Sequence, residues 1–335
     1  MIMKYNIYGL LLDVNSENDT VRDFFESKFS SFGYNTESSS ECLRTISVSE
    51  KNEPGFFQSL DDDKNSEFLS EAASKDMIVG GYRYGYSFKK ICNSYVAWNN
   101  SDCFFYLADG ESHILTIVCG YLLKQVVNAL SDIGIICLHG AGVTINRSAD
   151  NGLLIFGQSG SGKSSISIKL VERYGERIIC DDVLMITKRP AGVLGLSNHQ
   201  HVNIEKENLE ENYSGICHCA VKSVDPFNTK VKIDLGKFSQ DAFASVITPK
   251  NILFSSLRRA DKCTIVPLKS TEALKKIVKE VQFYITSEYV PVIYDLIKQC
   301  AVYEIIPSRD VDATICEIYR VLSEKDPINS EMKGN

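Results

Sequence analysis

An α/β (α+β) fold is predicted by three observations along this 335-residue chain. Aromatic and β-branched residues alternate with polar ones from Tyr82 to Ala108, the signature of antiparallel strands around the turn Asn99-Asn100-Ser101-Asp102. Helical apolar spacing follows at Ile114, Ile117, Val118, Tyr121, Leu122, Val126 and Leu130, with Gly134 just beyond. The short apolar run Leu153 to Phe156 then opens directly into the glycine-rich loop Gly157-Gln158-Ser159-Gly160-Ser161-Gly162-Lys163-Ser164. A β-rich region (residues 1–128), a loop-bearing α/β domain (129–323) and a solvated tail (324–335) are the expected divisions.

Whole-chain properties narrow the classes. Hydrophobic residues make up 44% and charged residues 24%, an ordinary globular profile. The formal net charge of −7 argues against a broad nucleic-acid or anionic-membrane surface, since both partners demand clustered Lys and Arg. Ile114 to Ile136 is the most apolar long stretch, but Lys124, Gln125, Asn128, Ser131 and Asp132 interrupt it where a span needs roughly 20 apolar residues. Eleven cysteines without CxxC pairs suit reduced thiols. The N-terminal text lacks the cationic start, apolar core and cleavage site of a secretory signal, so a cytoplasmic compartment is expected.

Along the chain, Tyr5 to Val14 reads as a strand, followed by polar text rich in Ser and Asp. Beyond the Ser112–Ser131 helix come three short apolar runs, Ile135–Leu138, Gly142–Ile145 and Leu153–Phe156, with Asn146 to Gly152 as the turn before the last. Ser164 to Tyr174 fits a helix stopped by Gly175, Arg177 to Cys180 a buried strand, and Val183 to Thr187 its continuation or partner. Strands at Asn251–Phe254 and Val302–Ile306 and helices at Ser270–Glu280, Glu288–Cys300 and Asp310–Leu322 complete the reading.

The loop matches G-x-x-x-x-G-K-S in full, between an apolar run and a helical pattern. Gly157, Gly160 and Gly162 allow a concave turn whose N–H groups face phosphate oxygens, and the following helix N-terminus adds partial positive charge. Lys163 is placed to bridge the terminal phosphates of an ATP-like ligand, Ser164 to ligate Mg²⁺, and Gln158, Ser159, Ser161 and Ser165 to complete the cradle. Asp181-Asp182 ends an apolar run, where open α/β sheets gather ligands. A carboxylate there can take a proton from an attacking hydroxyl or hold Mg²⁺, the latter expected of Asp182. His139 precedes Gly140-Ala141-Gly142 at the end of an apolar run, ordinarily the place of a packing residue.

Taken together, Leu138-His139-Gly140-Ala141-Gly142-Val143, then GLLIFGQSGSGKSS, then RIICDD, resemble the HPr kinase/phosphorylase-like family. KVKIDLGKF, PKNILFSSLRR and YEIIPSRDVDATICEIYRVL look like the C-terminal part of its smaller members, including the peptide-modifying kinases of lasso-peptide type. The likeness runs from about Ile135 to Leu322. It implies a P-loop kinase core similar to phosphoenolpyruvate carboxykinase, with ATP and Mg²⁺ as cofactors. It also implies Lys163 on the phosphates, Asp181 as proton acceptor from a substrate serine and His139 near the transferred phosphoryl group, and it leaves a homo-oligomer open. The EVRG-type segment of true HPr kinases is not visible; Glu205 and Glu207 in NIEKENLEEN lie at about its distance. The acceptor expected is therefore a peptide or protein serine rather than HPr, with a small-molecule hydroxyl as the alternative. A regulatory ATPase is the reading from another class, and the chain has no LSGGQ-like segment to favour it.

Weaker signals read as ordinary surface. His199, His201, Cys217, His218 and Cys219 lack zinc-ligand spacing. Arg258-Arg259 either reaches phosphate or solvates a strand end, and Lys230 with Lys232 is either a basic patch near the site or, as two-residue stripes usually are, a wet strand face.

Overall fold

The computed structural model describes residues 2–29, 32, 44–51, 69–71, 78–83, 86–91, 93–108, 114–197, 201–221, 230–280 and 289–323. The expected tail (324–335) and His199 lie outside them. The chain divides into two compact units between Ile133 and Gly134. The helix that carries the division runs unbroken to Asp132, so the break falls after it rather than at 128/129.

The first unit is an eight-stranded mixed sheet in the order β1-β2-β3-β8-β7-β6-β5-β4. Its strands are β1 (Ile2–Ile7), β2 (Leu10–Asn15), β3 (Arg44–Glu50), β4 (Leu69–Glu71), β5 (Ile78–Arg83), β6 (Tyr86–Ile91), β7 (Ser94–Trp98) and β8 (Asp102–Tyr106). The single strand expected over Tyr5–Val14 is instead the hairpin β1-β2, because Tyr8 and Gly9 both take positive φ and reverse the chain. Leu10, Leu12 and Val14 point one way and are buried, which is the period-2 pattern of a sheet with one covered face. Helices α1 (Asp19–Phe29) and α2 (Leu115–Asp132) pack with this sheet. The text from Tyr82 to Ala108 does fold as antiparallel strands, and Asn99 Oδ1 accepts the Ser101 and Asp102 amides to close their turn.

The second unit is built on a nine-stranded mixed sheet, β17-β13-β12-β9-β10-β18-β20-β19, with β11 also pairing β9. These are β9 (Ile135–Ile145), β10 (Ser148–Phe156), β11 (Ile178–Cys180), β12 (Val183–Arg189), β13 (Gly192–Leu196), β17 (Val246–Ile247), β18 (Pro249–Ser255), β19 (Thr264–Pro267) and β20 (Ala301–Ile306). A separate small sheet joins β14 (Val202–Glu205), β16 (Lys230–Ile233) and β15 (Ala220–Val221). The helices are α3 (Lys163–Tyr174), α4 (Lys206–Asn212), α5 (Ser270–Glu280), α6 (Tyr289–Gln299) and α7 (Val311–Ser323).

Why the apolar runs are continuous is visible in the core. Leu153 and Ile155 of β10 join a cluster with Ile166 and Leu170 of α3 and Ile315 and Ile318 of α7. Leu154 and Phe156, one residue out of phase, join another with Ile277 of α5 and Ile293 of α6. A strand covered on both faces needs an apolar residue at every position.

Two of the expected short runs, Ile135–Leu138 and Gly142–Ile145, are one strand, β9. Glycines conceal it: a Cβ on Gly140 would lie 2.9 Å from the Phe156 ring, and one on Gly142 only 2.6 Å from Ile179. The long turn expected over Asn146–Gly152 shrinks to Asn146 and Arg147, both at positive φ as two-residue hairpin turns require. Glu176 holds it, its Oε2 accepting the Thr144 hydroxyl at 2.7 Å and the Arg147 amide at 2.8 Å. Arg177–Cys180 and Val183–Thr187 are neither partners nor one strand. Both lie along β9, with Cys180 opposite Gly142 and Val183 opposite His139. Among the described residues no helix is long and apolar enough to cross a membrane.

Candidate active site

Strand β10 delivers the chain into the loop and α3 carries it away. Gly157 takes φ 146° and a Cβ there would sit 2.4 Å from the Ser255 carbonyl, so no other residue fits this turn. Gly160 and Gly162 also take positive φ, and Gly162 caps α3 with no side-chain hydrogen bond to the helix amides. The opening amides of the helix therefore have no intrahelical acceptor and face an anion-ready end. Gln158 accepts the Ser161 amide at 3.0 Å through its carbonyl, which closes the loop on itself.

Lys163 is buried, and its ammonium donates to the carbonyls of Gly157 at 2.6 Å and Gln158 at 3.2 Å. Burial pulls it below the ordinary lysine range, opposed by the charges of Glu280, Asp181 and Asp182. Next along the helix, Ser164 donates to Asp181 Oδ1 at 2.8 Å, while Ser165 Oγ accepts from Asn208 Nδ2 at 3.1 Å.

Asp181 and Asp182 occupy the interval between β11 and β12, and their environments differ sharply. Asp181 is 2% exposed, and its second oxygen accepts the Asn203 amide of β14 at 3.1 Å. Burial raises its carboxyl above the ordinary range, the Ser164 bond pulls it back down, and the Asp182 charge raises it again. Asp182 takes φ 74°, a strained conformation for a non-glycine residue that turns its carboxylate outward. There its Oδ1 lies 3.2 Å from His139 Nδ1. His139 sits mid-strand on β9, not at a strand end as expected.

These groups line one cleft of about 180 Å³: His139, Ser159, Gly160, Lys163, Ser164 and both acids all reach it. Lys230, for which the sequence left open a basic patch near the site or a wet strand face, lines it too, as do Arg259, Glu205 and Asn208. No sequence pattern marks Asn203 or Asn208. Asn203 acts through its main chain, which carries no side-chain signal. Lys230 is brought in by the pairing of β16 with β14, two short strands that no local pattern announces.

The donor set fits the groups that the motif implies. Ser164 Oγ, together with the Asp181-Asp182 pair lining the same cleft, offers the hard oxygens that suit a divalent cation such as Mg²⁺. The glycine-lined turn, into which no Cβ fits at Gly157, suits phosphate.

No family model matches the chain, and no curated protein matches it. Among solved structures, the Hpr(Ser) kinase/phosphatase from Coxiella burnetii overlays at a TM-score of 0.31 with 20% identity, over 56% of this chain and 98% of that chain. At that score the overlay is a likeness only, and the chemistry of this chain is read from the residues of its own cleft.

Proposed function

We propose that the chain transfers the γ-phosphoryl group of a nucleoside triphosphate, with Mg²⁺, to a serine hydroxyl of a peptide or protein. The observation that carries this reading is the direct contact between Ser164 of the loop and the buried carboxylate of Asp181. In this reading the Asp181 carboxylate would take a proton beside the place where a terminal phosphate would rest. Mg²⁺, held by Ser164 with one of the two carboxylates, would neutralise charge on the transferring group.

The chain's own residues do the remainder. The loop amides and Lys163 orient the polyphosphate. Asp181 accepts the acceptor's proton as its oxygen bonds to the γ-phosphorus; the bridging P–O bond breaks and its electron pair leaves on the nucleoside diphosphate. Burial assists, because a carboxyl raised above its usual range holds the arriving proton better. His139 orients Asp182 through their contact and stands at the rim where the transferring group would pass.

The test is incubation with ATP, Mg²⁺ and a panel of serine-containing peptides and small hydroxyl compounds, read by mass spectrometry. A phosphorylated peptide, absent with Asp181→Asn, is expected. Phosphorylation confined to small molecules would move the acceptor class. ATP hydrolysis with no phosphorylated product would replace the reading by an ATPase.

A further inference from the structure

The polar interruptions of the apolar stretch Ile114–Ile136 recur as one wall of a cavity. Gln125, Asn128 and Asp132 fall at i, i+3 and i+7 of α2, on one face of the helix, and all three line a pocket of about 560 Å³ within the N-terminal unit. The sheet supplies the facing wall: Arg44 and Ile46 alternate along β3, and Trp98 at the end of β7 lies opposite Ser87 of β6. The transfer chemistry uses none of these residues.

The carboxamides here are undersatisfied. Gln125 is 5% exposed, yet its Nε2 reaches only the Tyr121 carbonyl, at 3.5 Å, and its Oε1 has no partner among the described residues. Leaving a buried carboxamide so poorly met costs stability, and a ligand that completes its bonds would repay it. Asn128 likewise makes no side-chain hydrogen bond among the described residues. The two charged side chains of the described lining, by contrast, satisfy each other. Arg44 pairs with Asp132 and also donates to the Asn100 carbonyl at 2.7 Å.

We propose that this pocket binds a neutral saccharide. An anion would meet Asp132 and a cation Arg44, so the closed ion pair favours a ligand without charge. An extended peptide would pair with a free sheet edge, but β3, β6 and β7 each have a strand on both sides, so recognition falls to side chains. Hydroxyls that both donate and accept match carboxamides that do the same. Trp98, held flat against Tyr121 and only half-buried, offers an apolar platform to the C–H face of a sugar ring. The volume suits a mono- or disaccharide.

Trp98 is the chain's one tryptophan, so its emission reports on the pocket directly. The full chain is titrated with glucose, N-acetylglucosamine and maltose, followed by that emission and by calorimetry, and saturable binding of at least one sugar is expected. Asn128→Ala, at an exposed position, should weaken that binding at least about tenfold. Gln125→Met, of similar length but without the amide, should abolish it while the melting temperature holds or rises, whereas a glutamine needed only for the fold would lower it. Binding of none of the three sugars by either readout would overturn the inference, as would unchanged affinity in both variants. Glucuronate and triglycine are the anionic and peptide arms, and binding confined to either would overturn the neutral-sugar class.

Discussion

The two units bury different things. Among the described residues of the N-terminal unit the buried polar side chains are Ser16, Ser94 and Gln125, none of them charged. The loop-bearing unit buries Lys163, Lys169, Glu176 and Asp181. Taking a charge from water costs several kcal/mol unless partners offset it, so each of the four charges needs an explanation that the N-terminal unit's described core does not. Two of the four charges have a structural explanation. Lys169 pairs with Glu172 at 2.8 Å and lies over the Tyr213 ring, and Glu176 clamps the β9-β10 turn. Lys163 and Asp181 are held by the loop itself and border the cleft.

The sharpest way to break the contrast is at Asp181. Asp181→Asn keeps the shape but removes the proton acceptor, and phosphoryl transfer should fall by about 10²–10⁴-fold, measured as kcat/KM. In wild type the acid limb of kcat/KM should lie above the ordinary aspartate value of about 3.9, since protonation through a raised pKa disables the base as pH falls. The linked stability runs the other way. A carboxyl whose folded pKa is raised favours the fold below its unfolded value and loses that contribution as pH rises through the folded one. Asp181→Asn should therefore also remove the fall in melting temperature that wild type shows as pH rises from the ordinary aspartate value of about 3.9 through the raised one.

Lys163→Ala should cost about 10²–10³-fold in turnover, the usual loss when one preorganised charge stabiliser is removed, while the melting temperature changes little by comparison. Glu176→Ala should behave oppositely. Losing the acceptor for Thr144 and Arg147 leaves buried donors unmet and should cost about 1–3 kcal/mol in urea unfolding, with nucleotide affinity spared. The smallest effect belongs to the N-terminal unit. Trp98 stacks on Tyr121 with ring centroids 6.1 Å apart, and Trp98→Ala should lose about 0.5–1.5 kcal/mol beyond its area term without changing transfer. A loss of transfer there would show that the first unit takes part in the chemistry.

Much of this contrast is legible from residue order. The loop announces itself because every position obeys a local rule: apolar strand, three glycines, Lys, Ser, helix. The helices of the second unit are readable because their apolar stripes are long, and Ser270–Glu280 and Val311–Ser323 fall within a few residues of the expected spans, as Leu115–Asp132 does in the first unit. Elements set by distant partners are not readable. Strand β9 hides behind glycines that exist to admit Phe156 and Ile179, and α1 sits in polar text with only Val21, Phe25 and Phe29 buried among its described residues. Lys230 reaches the cleft through β14, and the Asn203 amide meets Asp181 across a gap that no spacing encodes.

The placement of the acid pair has a consequence for how this protein can vary. Strands β11 and β12 follow the same rail, β9, and the two aspartates fill the stretch between Cys180, opposite Gly142, and Val183, opposite His139. Side chains alternate sides along such a rail, so losing or gaining a single residue there would exchange the two buried faces of β12, putting Leu184 where Val183 and Met185 now pack. Descendants of this chain that exchange letters at positions 181 and 182 keep the phase of the strand that follows, whereas those that change the length of the word lose it.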